Sequence, residues 1–127
     1  MIPVYQTDFG CGRGNCLQAC IASILELPLE DVPHFSLEEE WREARDNFLK
    51  QFDLYMIEVD AEACRKIGHH LYGYHIIAGP APGQPYDGLW HAVVGYNGEI
   101  VHDPHPKSRG LEKEVQWDIF VSRMEER

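Results

Sequence analysis

Three residue types in this chain could together carry out acyl transfer: a cysteine, a histidine and a carboxylate. A thiol attacks a carbonyl carbon well only as a thiolate, and an imidazolium or a helix N-terminus beside it favours that form. Cys16 opens an apolar stretch, Cys16-Leu17-Gln18-Ala19-Cys20-Ile21-Ala22-Ser23-Ile24-Leu25, which comes after Gly10, Gly12 and Gly14. Asn15 is a plausible N-cap for it. Leu17, Cys20, Ile21, Ile24 and Leu25 fall on the i, i+3, i+4, i+7, i+8 stripe of a helix, which would put Cys16 in the first turn and Cys20 in the core. The glycines place no side chains at the head of that helix, so Gly14 and Asn15 are candidate substrate contacts.

The second block is Trp90-His91-Ala92-Val93-Val94-Gly95-Tyr96-Asn97-Gly98-Glu99-Ile100-Val101-His102-Asp103-Pro104-His105-Pro106. It reads as two strands joined at Asn97-Gly98, a strong hairpin signal, with His91 at the start of one and Asp103 at the end of the other. A carboxylate hydrogen-bonded to the histidine would fix its tautomer and stabilise its imidazolium. Register decides whether they meet. A simple two-residue turn sets Tyr96 against Glu99 and His91 against Pro104, with Asp103 on the other face. A three-residue turn with Gly98 left-handed sets His91 directly against Asp103, as a bulge near His102 would restore the same parity. The sequence reading therefore predicts one of these two devices, with the three-residue turn first.

Cys16 followed four residues later by Cys20 in a helix, then His-Ala-Val-Val, then Asp-Pro, resembles the papain-like cysteine peptidases, especially the bacteriocin-leader peptidase branch, and the chain is similar to uncharacterised bacterial and phage proteins carrying Gly-Asn-Cys, His-Ala-Val-Val and His-Asp-Pro-His-Pro blocks. The resemblance covers the helix and the hairpin, about a third of the chain. It implies an α+β, papain-like fold with an N-terminal nucleophile helix packed on a mainly antiparallel sheet. It implies Cys16 as nucleophile, His91 as general base and acid, Asp103 as orienting carboxylate, and a thioester intermediate without a cofactor. The family also places a glutamine before the nucleophile, whose side-chain N–H joins the cysteine backbone N–H in an oxyanion hole. Gln6 matches it, although its interval to Cys16 is longer than the family's and contains Cys11. Gln6 to Cys11 fits that interval more closely, yet no helical pattern comes after Cys11. Gln18 is the alternative donor, from a position expected to point away.

The rest of the chain has to position these groups. Residues 36–52 read as a second helix starting at a Ser36/Glu39 capping box, with Trp41, Ala44, Phe48 and Phe52 on a packing face. Residues 54–59, 74–78 and 115–121 read as strands, and 60–68 as a short helix or turn. His69, His70 and His75 read as solvated or core histidines. The loop over residues 79–88 holds three prolines and three glycines, and with Tyr86 and Trp90 it would form one wall of a cleft suited to a peptide or small amide.

A chain of 127 residues suits one domain, residues 1–127. Its formal net charge of -10, with 11 Lys and Arg and no basic run, argues against a nucleic-acid backbone as partner. No apolar stretch reaches the length of a membrane span and no signal-peptide pattern opens the chain, so a cytoplasmic protein with reduced thiols is the expectation. Two other functions compete with the hydrolase. His91, His102, Asp103 and His105 could ligate a metal, although adjacent strand residues face opposite ways and His102 and Asp103 would not easily share an ion. A non-catalytic binding module on the same frame is the other.

Overall fold

The computed structural model describes residues 1–10, 14–66, 72–83 and 89–122. Cys11, His69, His70 and Tyr86 lie outside these residues, and with them Tyr86's expected place on the cleft wall. Helix α1 spans Cys16–Leu25 and buries Cys20, Ile21 and Ala22 completely. It stops where Glu26 turns left-handed (φ 58°) and Leu27 N–H bonds the carbonyl of Ala22; Pro28 comes next and cannot extend the helix. The α2 helix is Trp41–Lys50, shorter at its start than the capping-box pattern predicts. Ser36 lies in a single 3-10 turn, Phe35–Leu37, and its hydroxyl donates instead to Gly14 O at 2.8 Å. A bond to the loop ahead of Cys16 has replaced the cap.

Strands β1 (Leu54–Asp60), β2 (Tyr74–Pro80), β3 (Trp90–Tyr96), β4 (Glu99–His102) and β5 (Gln116–Ser122) form one sheet in the order β1-β5-β2-β3-β4. Each adjacent pair is antiparallel, and the short helix α3, Ala61–Lys66, comes directly after β1. The described residues are thus α+β with an N-terminal helix and a five-stranded antiparallel sheet, and none of their helices is long and apolar enough to cross a membrane.

Period-two alternation divides the sheet into two faces. Met56, Ile76, Ala92 and Val94 pack with Cys20, Ile21, Phe35, Phe48 and Leu49 into the larger core, while Ile77, Val93 and Trp117 form a smaller one with Ala61. Close contacts leave no room for side chains at two glycines. A Cβ on Gly79 would lie 1.8 Å from Lys113 O, and one on Gly95 2.7 Å from the ring of the buried His75.

Residues 1–8 strap α1 to the far end of the hairpin. Ile2 N–H and Val4 N–H bond Ser23, Gln6 N–H bonds Pro104 O, and the His102 ring bonds Val4 O at 2.8 Å. The strap therefore fixes Cys16 relative to Asp103 through backbone bonds.

Candidate active site

The hairpin brings His91 to Asp103 by the second of the two expected devices. The turn is the two-residue type, with Asn97 (φ 52°) and Gly98 (φ 85°) both left-handed and Tyr96 opposite Glu99, so the three-residue turn is corrected. Gly95 then pairs with Ile100 but Val94 with His102, which leaves Val101 as an extra residue in β4. That bulge reverses the parity of everything after it. Carried on, the new register sets Asp103 across from Val93, diagonal to His91 instead of directly opposite. The two side chains meet, His91 Nε2 to Asp103 Oδ1 at 2.7 Å, and both are less than 10% exposed.

Asp103 is gripped further. Its Oδ1 also accepts the N–H of His105 at 2.9 Å, and Oδ2 accepts that of Gly110 at 2.7 Å. Burial works against the charge of this carboxylate, but His91 and the two backbone donors outweigh it and hold its pKa below the ordinary value. Burial likewise opposes an imidazolium at His91, and it too is outweighed, by the hydrogen bonds and charges of Asp103 and Cys16; the pKa rises to about 9. His91 is therefore a cation at neutral pH. Asp103 takes Nε2, and Cys16 lines the same cleft as the ring and is among the groups that raise its pKa.

Cys16 is the first residue of α1, where backbone N–H groups have no partner within the helix. Asn15 does not cap with its side chain. Buried, it bonds Thr7 N–H, Asp8 N–H, the Thr7 hydroxyl and Gln18 Oε1, so its side chain is spent on the strap and on α1 and does not line the cleft. Gln18 is equally committed, with Nε2 donating to Leu29 O and Val32 O, and has no donor left for an oxyanion. Gln6 differs. It is buried and lines the cleft with Cys16, and one N–H of its amide meets Asp8 O at 3.0 Å, while the second has no partner among the described residues. Cys20 sits one turn deeper, fully buried, with its thiol pushed well above the ordinary pKa by burial.

A cleft of about 830 Å³ opens over these groups. Gly14, Cys16, Leu17, Phe35 and Trp41 line it from the helical side; Ala81, Pro82, Leu89 and half-exposed Trp90 line the opposite wall. Trp41, expected as packing alone, thus also faces the cleft and stacks against the Arg42 guanidinium at 4.3 Å. The sequence reading missed the floor, where Gln116 and Asp118 of β5 lie beside Ala78 and Ala92. Polar residues alternating with Trp117 and Ile119 look like a solvated strand face. Nothing in that pattern separates a solvated face from the floor of a cleft.

The four candidate metal ligands do not converge. His102 turns to Val4 O, while His91 and His105 both engage Asp103, and among the described residues no group of three or more His, Cys, Asp or Glu is placed to hold a metal ion. No family model, curated protein or solved structure matches the chain.

Proposed function

We propose that this protein is a cysteine hydrolase of the papain-like kind, a peptidase or amidase with Cys16 as nucleophile, His91 as acid and base, and Asp103 as the residue that orients His91. The observation that carries this reading is the convergence in one cleft of a thiol at a helix N-terminus and a charged, carboxylate-held imidazole. The Cys16 thiolate attacks the amide carbon, forming an S–C bond and an oxyanion. The Cys16 backbone N–H and the second N–H of the Gln6 amide are the donors for that oxyanion. The C–N bond breaks as the leaving amine takes the proton of His91, which leaves a thioester. Neutral His91 then takes a proton from water, the hydroxide adds to the thioester, and the C–S bond breaks to give the acid and the thiolate.

Peptide mapping after brief iodoacetamide treatment tests the nucleophile. Cys16 is expected to label well before Cys64, the other partly exposed thiol among the described residues, and to lose this advantage in His91→Ala. Turnover of a peptide library, absent in Cys16→Ala, tests the hydrolase. Equal, slow labelling of both thiols would favour a binding module on the same frame.

A further inference from the structure

The cleft extends beyond the thiol to a floor that amide hydrolysis as described does not use. Register places its members on one sheet face: Ala78 pairs with Ala92 on one side and with Gln116 on the other, and Asp118, two residues on, pairs with Ile76. The two alanines leave space above the strands, so the Asp118 carboxyl lines the cleft although only 5% of the residue is exposed. Its Oδ1 accepts from Gln116 Nε2 at 2.7 Å, and the same nitrogen donates to Glu58 Oε1 at 3.0 Å.

Two cations lie nearby and favour a charge on Asp118 without pairing with it, and the buried Nη1 of Arg45 makes no hydrogen bond among the described residues. Arg42 grips Glu58 through two bonds of 2.8 and 3.1 Å, and Arg45 pairs with Asp46 at 3.1 Å and approaches Glu58 at 3.6 Å. Among the described residues Asp118 has no basic group at ion-pair distance. A carboxylate this deep is costly unless a cation or further donors complete it. Burial accordingly pushes its pKa up to about 6. Trp41 adds an aromatic wall to the cleft, and its ring already attracts the guanidiniums of Arg42 at 4.3 Å and Arg45 at 5.4 Å.

We propose that Asp118 is the base of a specificity subsite for an ammonium or guanidinium on an aliphatic stem, so that the enzyme prefers amides carrying a basic side chain near the bond cleaved. This rests on the hydrolase reading of Cys16. The stem would lie along Leu17, Phe35 and Trp41, and the cation would supply the partner that the protein does not.

Affinity labelling of Cys16 separates the two claims. Wild-type protein is treated with N-(ω-aminoalkyl)iodoacetamides of three to six methylenes and with the matching N-alkyl reagents, and the rates at Cys16 are compared as ratios. At the best chain length the amino reagent is expected to react about tenfold faster or more, the size of a charge-assisted hydrogen bond in a desolvated site. The ratio should fall towards one in Asp118→Asn. It should also fall in wild type as pH drops through about 6. The groups acting on Asp118 are Gln116 of β5, Glu58 of β1, and Arg42 and Arg45 of α2; Glu58 is kept anionic by Arg42, whose own pKa the same bond raises, and His91, elsewhere in the cleft, stays protonated over that range. The pH series keeps the test decisive if the variant does not fold. No preference at any length while Cys16 still outpaces Cys64 would overturn the subsite alone, as would a preference that survives in Asp118→Asn. Equal labelling of Cys16 and Cys64 by both reagents would overturn the hydrolase reading and the subsite with it.

Discussion

His91 owes its charge to two neighbours, and they set the pH behaviour of the site. Its folded pKa of about 9 lies above the ordinary 6.5, so the stability linked to its proton is fully present below 6.5 and is lost as pH rises through 9. Asp103 runs the other way. Its depressed carboxyl contributes stability that is present above 3.8 and disappears as pH falls through the lowered value. Above about 9 the His91 ring has lost the proton that the proposed mechanism gives to the leaving amine. Hydrolysis should therefore fall above pH 9 while alkylation of Cys16 does not, a split that parallel rate profiles would detect; a parallel decline of both would contradict the assigned role of His91. For Asp103→Asn, loss of the charge that orients His91 is expected to lower kcat by about two to four orders of magnitude. The variant should also melt earlier, because the carboxylate accepts from both His105 and Gly110. Restoring the aspartate alone should recover both properties.

At the scale of elements, one residue of β4 decides whether the site exists. Val101 is the extra residue that carries Asp103 onto the face of His91, and its deletion should give a regular hairpin with Asp103 turned away. Such a protein is expected to keep its sheet by circular dichroism but to lose both turnover and selective labelling of Cys16. Gly98→Ala strains a left-handed turn position (φ 85°) without touching the register. It should cost about 1 kcal/mol in denaturant unfolding and leave the site assembled. The contrast between the two variants isolates register from stability. It also marks how far the sequence is legible. Asn97-Gly98 announces a hairpin, and the need for His91 to reach Asp103 requires either a longer turn or a bulge. The choice between them is not legible, because Val101 is an ordinary β-branched strand residue and its bulge is set by contacts further along the chain, where His102 is tied to Val4 and Asp103 to His105 and Gly110. Ser36 departs from its capping pattern for a related reason, since a hydroxyl in a cap-like spacing finds a better long-range acceptor in Gly14.

Across the whole molecule, the apolar patterns of α1, β2 and β3 make their burial readable, and a thiol at a helix start with a histidine at a strand start suggests the site. The cleft floor depends on which strands become neighbours. Glu58, Gln116 and Asp118 meet only because β5 inserts between β1 and β2, bringing Glu58 to a strand from the other end of the chain. That placement has a thermodynamic consequence at Asp118. Its pKa rises from 3.8 to about 6 on folding, chiefly through burial, so the favourable contribution is present below 3.8 and is lost as pH rises through 6. At neutral pH the ionised carboxylate then weakens the fold by roughly 3 kcal/mol relative to a group that need not ionise. Asp118→Asn keeps an oxygen for Gln116 and removes the charge. It should raise the melting temperature by several degrees at pH 7.5, with the gain vanishing near pH 3.5, as thermal unfolding at the two pH values would show. A carboxylate kept for structure alone would give the opposite result, a variant less stable at pH 7.5. Lower stability from a buried carboxylate that lines the cleft is the outcome expected of a group that a bound cation would complete.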